Sequence, residues 1–188
     1  MPDQSIGLLS PWLRTQRIKK VAPHLRGKIL DYGCGIGSLA EICAPNDYIG
    51  VDIDGPSINI ARLNNPRFRF ETIMPEGERF DSIVLLAVIE HIKNPVEIFR
   101  QMRVMLNPDG WIVLTTPHPI ADSIHYLGAK IGLFSSLANE QHEKLIDLSR
   151  MNDIAAQADF NISKYERFLL GINQLFILKP VRPIASSK

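Results

Sequence analysis

Three glycines at alternate positions, Gly33, Gly35 and Gly37 in the stretch ILDYGCGIGSLA, leave this chain few ways to fold. The residues before them, KILDY, are short, apolar and bounded by glycine on both sides, which reads as a buried strand. Small residues follow, and a helix is predicted from about Ile36 to Ala44, stopping at Pro45-Asn46. A strand, a glycine turn and a helix in that order bring backbone amides close to a ligand. The spacing is not that of G-x-G-x-x-G. Counted from Gly33, the third glycine position falls on Ser38, and the extra glycine is Gly37.

Asp31 discriminates between ligands. It stands at the carboxyl end of the strand, facing the crevice. Beside a pyrophosphate it is a like charge in a partly desolvated site, at a cost of about a few kcal/mol. Beside a cationic ligand the same carboxylate is favourable. S-adenosylmethionine (SAM) carries an ammonium and a sulfonium and no phosphate. A second role, capping nearby loop amides, is compatible with the first. Asp52 ends YIGVD, nineteen residues after Gly33, where a carboxylate can accept from both ribose hydroxyls of an adenosine. NAD and SAM share that requirement. Asp54 reads as a helix-start residue first and a ligand contact second.

The rest of the chain alternates strand and helix. A helix is expected from Ser10-Pro11, as N-cap and first-turn proline, across LLSPWLRTQRIKKVAPHL. YIGVDID is the next strand, then Gly55-Pro56 opens a helix to Asn64, and RFRFETI alternates as an edge strand does. FDSIVLLAVI is apolar throughout, as a central strand covered on both faces requires. Asn94-Pro95 starts a helix to Leu106 with Phe99, Met102 and Leu106 on one face, NPDG is a turn, and WIVLTT is a fifth strand. Residues 117–140 carry no strand pattern. Ile120, Ile124, Leu127, Ile131 and Phe134 recur at helical spacing, so 117–140 is expected to be a helical substrate lid. A helix over about Gln141–Asp159 precedes ISKYERFLLG and NQLFILKP, two strands joined by a short Gly-Ile turn. The expectation is an α/β chain forming one domain over 1–188, with an N-terminal helical segment at 1–27 and a tail at 181–188.

Taken in order, ILDYGCGIG, GVDID, FDSIVLLAVIEHIKNP and LNPDGWIVLTTP resemble the class I, Rossmann-like SAM-dependent methyltransferases over about residues 10–179. The chain looks similar to the compact group that acts on quinones, glycans or other small molecules. The resemblance implies a Rossmann-like, doubly wound sheet of seven strands, mostly parallel with an antiparallel last strand. It implies transfer of a methyl group from SAM to a small-molecule or lipid/glycan-linked acceptor, with S-adenosylhomocysteine as product. Carried over by position, Asp31, Gly33, Cys34, Gly35 and Gly37 surround the methionine moiety, and Asp52 with Ile53 the ribose. Thr72, Ile73 and Met74 fall where adenine packs, with no acid to take its amine. Leu86, Ala87 and Val88 line the cofactor near the transferred methyl.

On the acceptor side the sequence offers Glu90, His91 and His118 as candidate catalytic residues. Glu90-His91 either touches substrate or cofactor or holds its loop by hydrogen bonds. His118, between two prolines in TTPHP, either contacts the acceptor or stabilises its loop. His125 and Tyr126 ride the expected lid, and His142 reads as exposed. No metal site is expected: the histidines form no H-x-x-x-H pair, and Cys34 and Cys43 stand nine apart. Two cysteines are too few for a disulfide framework, and Cys34 reads as a small buried thiol. The formal charge of +1 gives no global field for nucleic acid, and VIEHIKNP lacks the Pro-Pro-aromatic signature of amino-type base methyltransferases. Arg14, Arg17, Lys19, Lys20, Arg26 and Lys28 read as solvated helix faces, against a weak pull on acidic substrates. With no apolar run of about 18 residues and no leader pattern, the expected location is cytoplasmic. Two rival functions remain: a SAM-binding module without catalysis, and an NAD-dependent oxidoreductase, which Asp31 disfavours.

Overall fold

The computed structural model describes residues 4–120 and 146–181, with side chains from Pro11 onward. Its elements are α1 (Gln4–Val21), β1 (Ile29–Tyr32), β2 (Tyr48–Val51), α2 (Gly55–Asn64), β3 (Arg69–Glu71), β4 (Phe80–Leu86), α3 (Pro95–Met105), β5 (Leu106–Pro117), α4 (Leu148–Gln157), β6 (Phe160–Phe168) and β7 (Asn173–Pro180). The seven strands form one sheet in the order β3-β2-β1-β4-β5-β7-β6. Strands β1 to β5 pair in parallel, and β7 runs antiparallel to both β5 and β6. The Rossmann-like architecture with an antiparallel last strand is therefore present.

Alternation along the central strands divides the core into two layers. On β4, Ile83 and Leu85 point to the side packed by Phe99 and Met102 of α3 and Met151 of α4. Val84 points the other way, to the layer that holds Val21, Tyr48, Ile58 and Ala61. Burial on both faces is why β4 reads as a continuous apolar run. Two N-caps fix helix starts: the Asn94 side chain accepts from the Glu97 amide, and the Asp54 side chain from Ser57.

Several expectations are corrected. The first helix does not begin at Ser10: α1 is already formed at Gln4, and Pro11 lies inside it. The segment after the glycine turn is not an α-helix over 36–44 but a five-residue 3-10 helix, Ser38–Ile42, followed by a second at Pro45–Asp47. Gly37 at its start is left-handed (φ 80°), and Pro45 lacks the amide needed to extend it. NPDG is not a separate turn. It bulges within β5, whose pairing to β4 jumps from Phe80↔Leu106 to Ser82↔Trp111. YIGVDID and FDSIVLLAVI end as strands at Val51 and Leu86. The last helix begins at Leu148, because the Asp147 side chain caps it by accepting from Arg150. The β6–β7 turn spans 169–172, longer than the Gly-Ile pair. Most of the expected lid, with His125, Tyr126 and His142, lies outside the described residues, as does nearly all of the 181–188 tail.

Candidate functional site

Strand order reverses between β1 and β4, so the connections leaving their carboxyl ends diverge and open a crevice. The glycine turn forms one wall. Gly33 and Cys34 donate their amides to the Val51 carbonyl at 2.7 and 3.1 Å, tying the turn to the end of β2. The Asp52 carboxylate holds the turn from below. Its Oδ2 accepts from the Gly35 amide (2.8 Å) and its Oδ1 from the Asp54 amide (2.9 Å). Gly33 has φ 75°, and a Cβ there would lie 2.4 Å from Val88 Cγ2, so only glycine lets the turn close against the segment after β4.

Two cavities adjoin through Gly33, Leu86 and Ala87. The larger, about 350 Å³, is mostly apolar and holds Asp52 and Ile53 on one side and Val88, His91 and Ile92 on the other. The smaller, about 210 Å³, is polar: Asp31, Cys34, Gly35 and Ser38 meet Arg14 and Arg17 of α1. Asp31 is only 2% exposed, and its Oδ2 accepts from the Tyr48 hydroxyl at 2.7 Å. Burial raises its pKa to about 7, with Asp52 adding to the rise and the Tyr48 hydrogen bond opposing it. Capping of loop amides, the alternative role for Asp31, is not what it does here; Asp52 does that. Arg17 Nε donates to Asn173 Oδ1 (2.9 Å), and Arg14 to Ser38 Oγ (3.3 Å). Burial lowers the Arg17 pKa, with Glu90 opposing and Arg14 adding.

The acceptor-side candidates separate. Glu90 accepts from Thr116 Oγ1 (3.1 Å), and burial raises its proton affinity. It also lines a third cavity, of about 300 Å³, with Ile89, Ile92, Ile146 and Arg150. His91 lines the larger, mostly apolar cavity. His118 lines none of these three. Its Nδ1 accepts from the Ile120 amide (3.1 Å), its backbone amide donates to Ile172 O, and burial and Arg167 lower its pKa. Thr72 and Ile73 are exposed and line neither cofactor-sized cavity, and Met74 packs on the core. Burial raises both thiol pKa values, which suits small inert side chains at Cys34 and Cys43. Among the described residues no cluster of three or more His, Cys, Asp or Glu could hold a metal ion.

The sequence reading missed Arg14, Arg17, Tyr48 and Asn173. Arg14 and Arg17 are three apart on a helix, hence on one face, and that face covers the crevice instead of solvent. Their neighbours are accounted for elsewhere. Lys20 pairs with Glu166, Lys28 with Glu78, and Arg26 stacks on Trp111 at 3.8 Å.

A family model described as "Methyltransferase domain" matches residues 11–165. The chain belongs to this methyltransferase family. The ubiquinone biosynthesis O-methyltransferase of Bordetella avium is 29% identical over 117 residues, covering 55% of this chain and 48% of that protein. The chain spans about half the length of the curated relatives it matches. A SAM-dependent methyltransferase from Clostridium acetobutylicum superposes with a TM-score of 0.65 at 13% identity, covering 89% of this chain and 91% of that one. The glycopeptide N-methyltransferase MtfA, solved with SAM, gives 0.68 at 12% identity, over 88% of this chain and 86% of its own. These two likenesses are of fold. Among the described residues no helix is long and apolar enough to cross a membrane.

Proposed function

We propose that this methyltransferase moves a methyl group from SAM to a small-molecule acceptor by in-line displacement. The observation that carries the reading is the pair of adjoining cavities with opposite character. One is apolar with Asp52 at its edge, fit for an adenosine. The other sets Arg14 and Arg17 against Asp31, fit for a carboxylate and an ammonium on one amino-acid group. A pyrophosphate suits this site less well, because Asp31 faces it and the turn leads into five residues of 3-10 helix.

SAM supplies a sulfonium-activated methyl group. With SAM bound, the S–CH3 bond would break as the bond from methyl to the acceptor forms, and the positive charge on sulfur would disappear. Positioning and exclusion of water then do most of what a protein must do. Asp52 would hold the ribose hydroxyls, Ile53 and Val88 would enclose the base, and Arg17 with Arg14 would take the carboxylate. Leu86 and Ala87, shared by both cavities, would border the sulfonium and its methyl group. Glu90, half-buried beside Thr116, is the group we assign to take a proton from a hydroxyl acceptor. His91 stays on the cofactor side. His118 serves as a turn cap through Nδ1.

Calorimetric titration with SAM, S-adenosylhomocysteine and NAD tests the cofactor. Binding of both sulfur nucleosides and not NAD is expected, and the reverse overturns the proposal. Labelled SAM with a panel of quinols, sugars and hydroxylated small molecules then reads turnover, which a binding module without catalysis does not show.

A further inference from the structure

The hydroxyl of Tyr48 is a feature of the core that packing alone does not explain. Its side chain is 1% exposed and surrounded by apolar groups, with Phe68 and Phe70 meeting its ring edge-on at 5.6 and 5.8 Å. A phenylalanine would fill that space without burying a polar atom. Among the described residues the only side-chain hydrogen bond to Asp31 comes from this hydroxyl. Register explains how it reaches. Asp31 stands opposite Gly50 on β2, where an added Cβ would come within 2.9 Å of Cys34 Sγ and 2.6 Å of the Phe70 ring. The missing side chain leaves room for Cys34 and Phe70, and Tyr48, two residues earlier on the same face of β2, brings its hydroxyl to Asp31.

A buried ion or polar pair is often no more stabilising than apolar residues of the same volume. Here Asp31 lines the cavity that also holds Arg14 and Arg17, and Tyr48 bonds it from outside that lining, so the use of the pair is at the ligand. Resting on the SAM reading above, we propose that Tyr48 is a positioning residue. Its hydroxyl holds Asp31 as an anion aimed at the ammonium of the cofactor's amino-acid end, and so sets the pH range over which that end is gripped.

The groups facing Asp31 give the sign. Burial and the nearby Asp52 favour its protonated form, whereas Tyr48 favours the carboxylate. Arg14 and Arg17 line the same cavity from α1, and Cys34 and Cys43 are neutral neighbours. Asp31 grips an ammonium only when ionised, so affinity rises as pH climbs through about 7. It falls again above about 8, where an α-amino group loses its proton.

The test is calorimetry on the full chain from about pH 6 to about pH 9 with two probes, SAM and methylthioadenosine, which lacks the amino-acid end. In Tyr48→Phe the acid limb for SAM should move up by about one pH unit or more, weakening SAM about fivefold or more at pH 7. Methylthioadenosine should stay within about twofold of wild type at every pH. Asp31→Asn should weaken SAM and abolish the acid limb, and adding Tyr48→Phe to it should change nothing further. An unmoved acid limb in Tyr48→Phe overturns the assignment, as do equal losses for both probes, which mark general damage. Wild-type protein that binds neither probe overturns the cofactor reading itself.

Discussion

Replacing Asp52 with alanine tests the placement of the whole site. The carboxylate sits at the carboxyl end of β2 on the rim of the adenosine-sized cavity, with one hydrogen bond already accepted by each oxygen, from the Gly35 and Asp54 amides. Each oxygen keeps a lone pair for one ribose hydroxyl. A hydrogen bond to a charged acceptor contributes about 1.5–3 kcal/mol when buried, and Asp52 is half-exposed, so water recovers part of it. The two together come to about 2–3 kcal/mol, or about a 30- to 150-fold loss of affinity. Freeing the Gly35 amide also loosens the turn and pushes the loss toward the upper figure. Calorimetry with SAM and methylthioadenosine should show equal losses, because the ribose is common to both. SAM affinity within about threefold of wild type would refute the placement of the nucleoside, as would a loss confined to SAM.

Three further outcomes follow from the geometry. Asp31 is fully buried with its pKa moved from 3.8 to about 7, so the folded state holds a proton that the unfolded state releases. Ligand-free protein should lose on the order of 4 kcal/mol as pH rises from about 4 to 7, and Asp31→Asn should remove that slope in denaturant titrations; a wild type whose stability is flat over that range refutes it. Phe99→Ala, which empties a fully buried position against Phe160, should cost about 3–5 kcal/mol by chemical denaturation. His118→Ala should leave SAM affinity unchanged, since His118 lines neither cofactor cavity; a clear loss by calorimetry would place it at the cofactor after all.

What could be read from the sequence was whatever depends on local chemistry. Asn94-Pro95 announces its helix because the cap is made within three residues. The run over β4 announces a central strand because both faces need apolar side chains. Gly33 and Asp52 stand out because a left-handed turn and a strand-end carboxylate are rare requirements. The misreadings have a different origin. Whether Arg14 and Arg17 face solvent or the crevice depends on how α1 docks, which spacing along the helix does not specify. The 3-10 helix after Gly37 is too short for a periodic pattern to separate it from an α-helix. The bulge at 107–110 looks like any polar turn until its pairing with β4 is known. Tyr48 passed as an ordinary strand aromatic, because its partner lies seventeen residues back on another strand.

The bond from Arg17 to Asn173 spans 156 positions and joins the first helix to the last strand of the sheet. A growing chain can thus make the nucleoside half of the site from its first fifty or so residues plus β4, but not the carboxylate half. Among the described residues the hydrogen bond that anchors the Arg17 guanidinium goes to β7, so it forms only once β7 has been made and has slotted between β5 and β6. Affinity for the amino-acid end then becomes a late signal of completed folding, while methylthioadenosine reports an earlier one. A protein nicked or misassembled in its β6–β7 hairpin should hold the nucleoside and let go of the methionine.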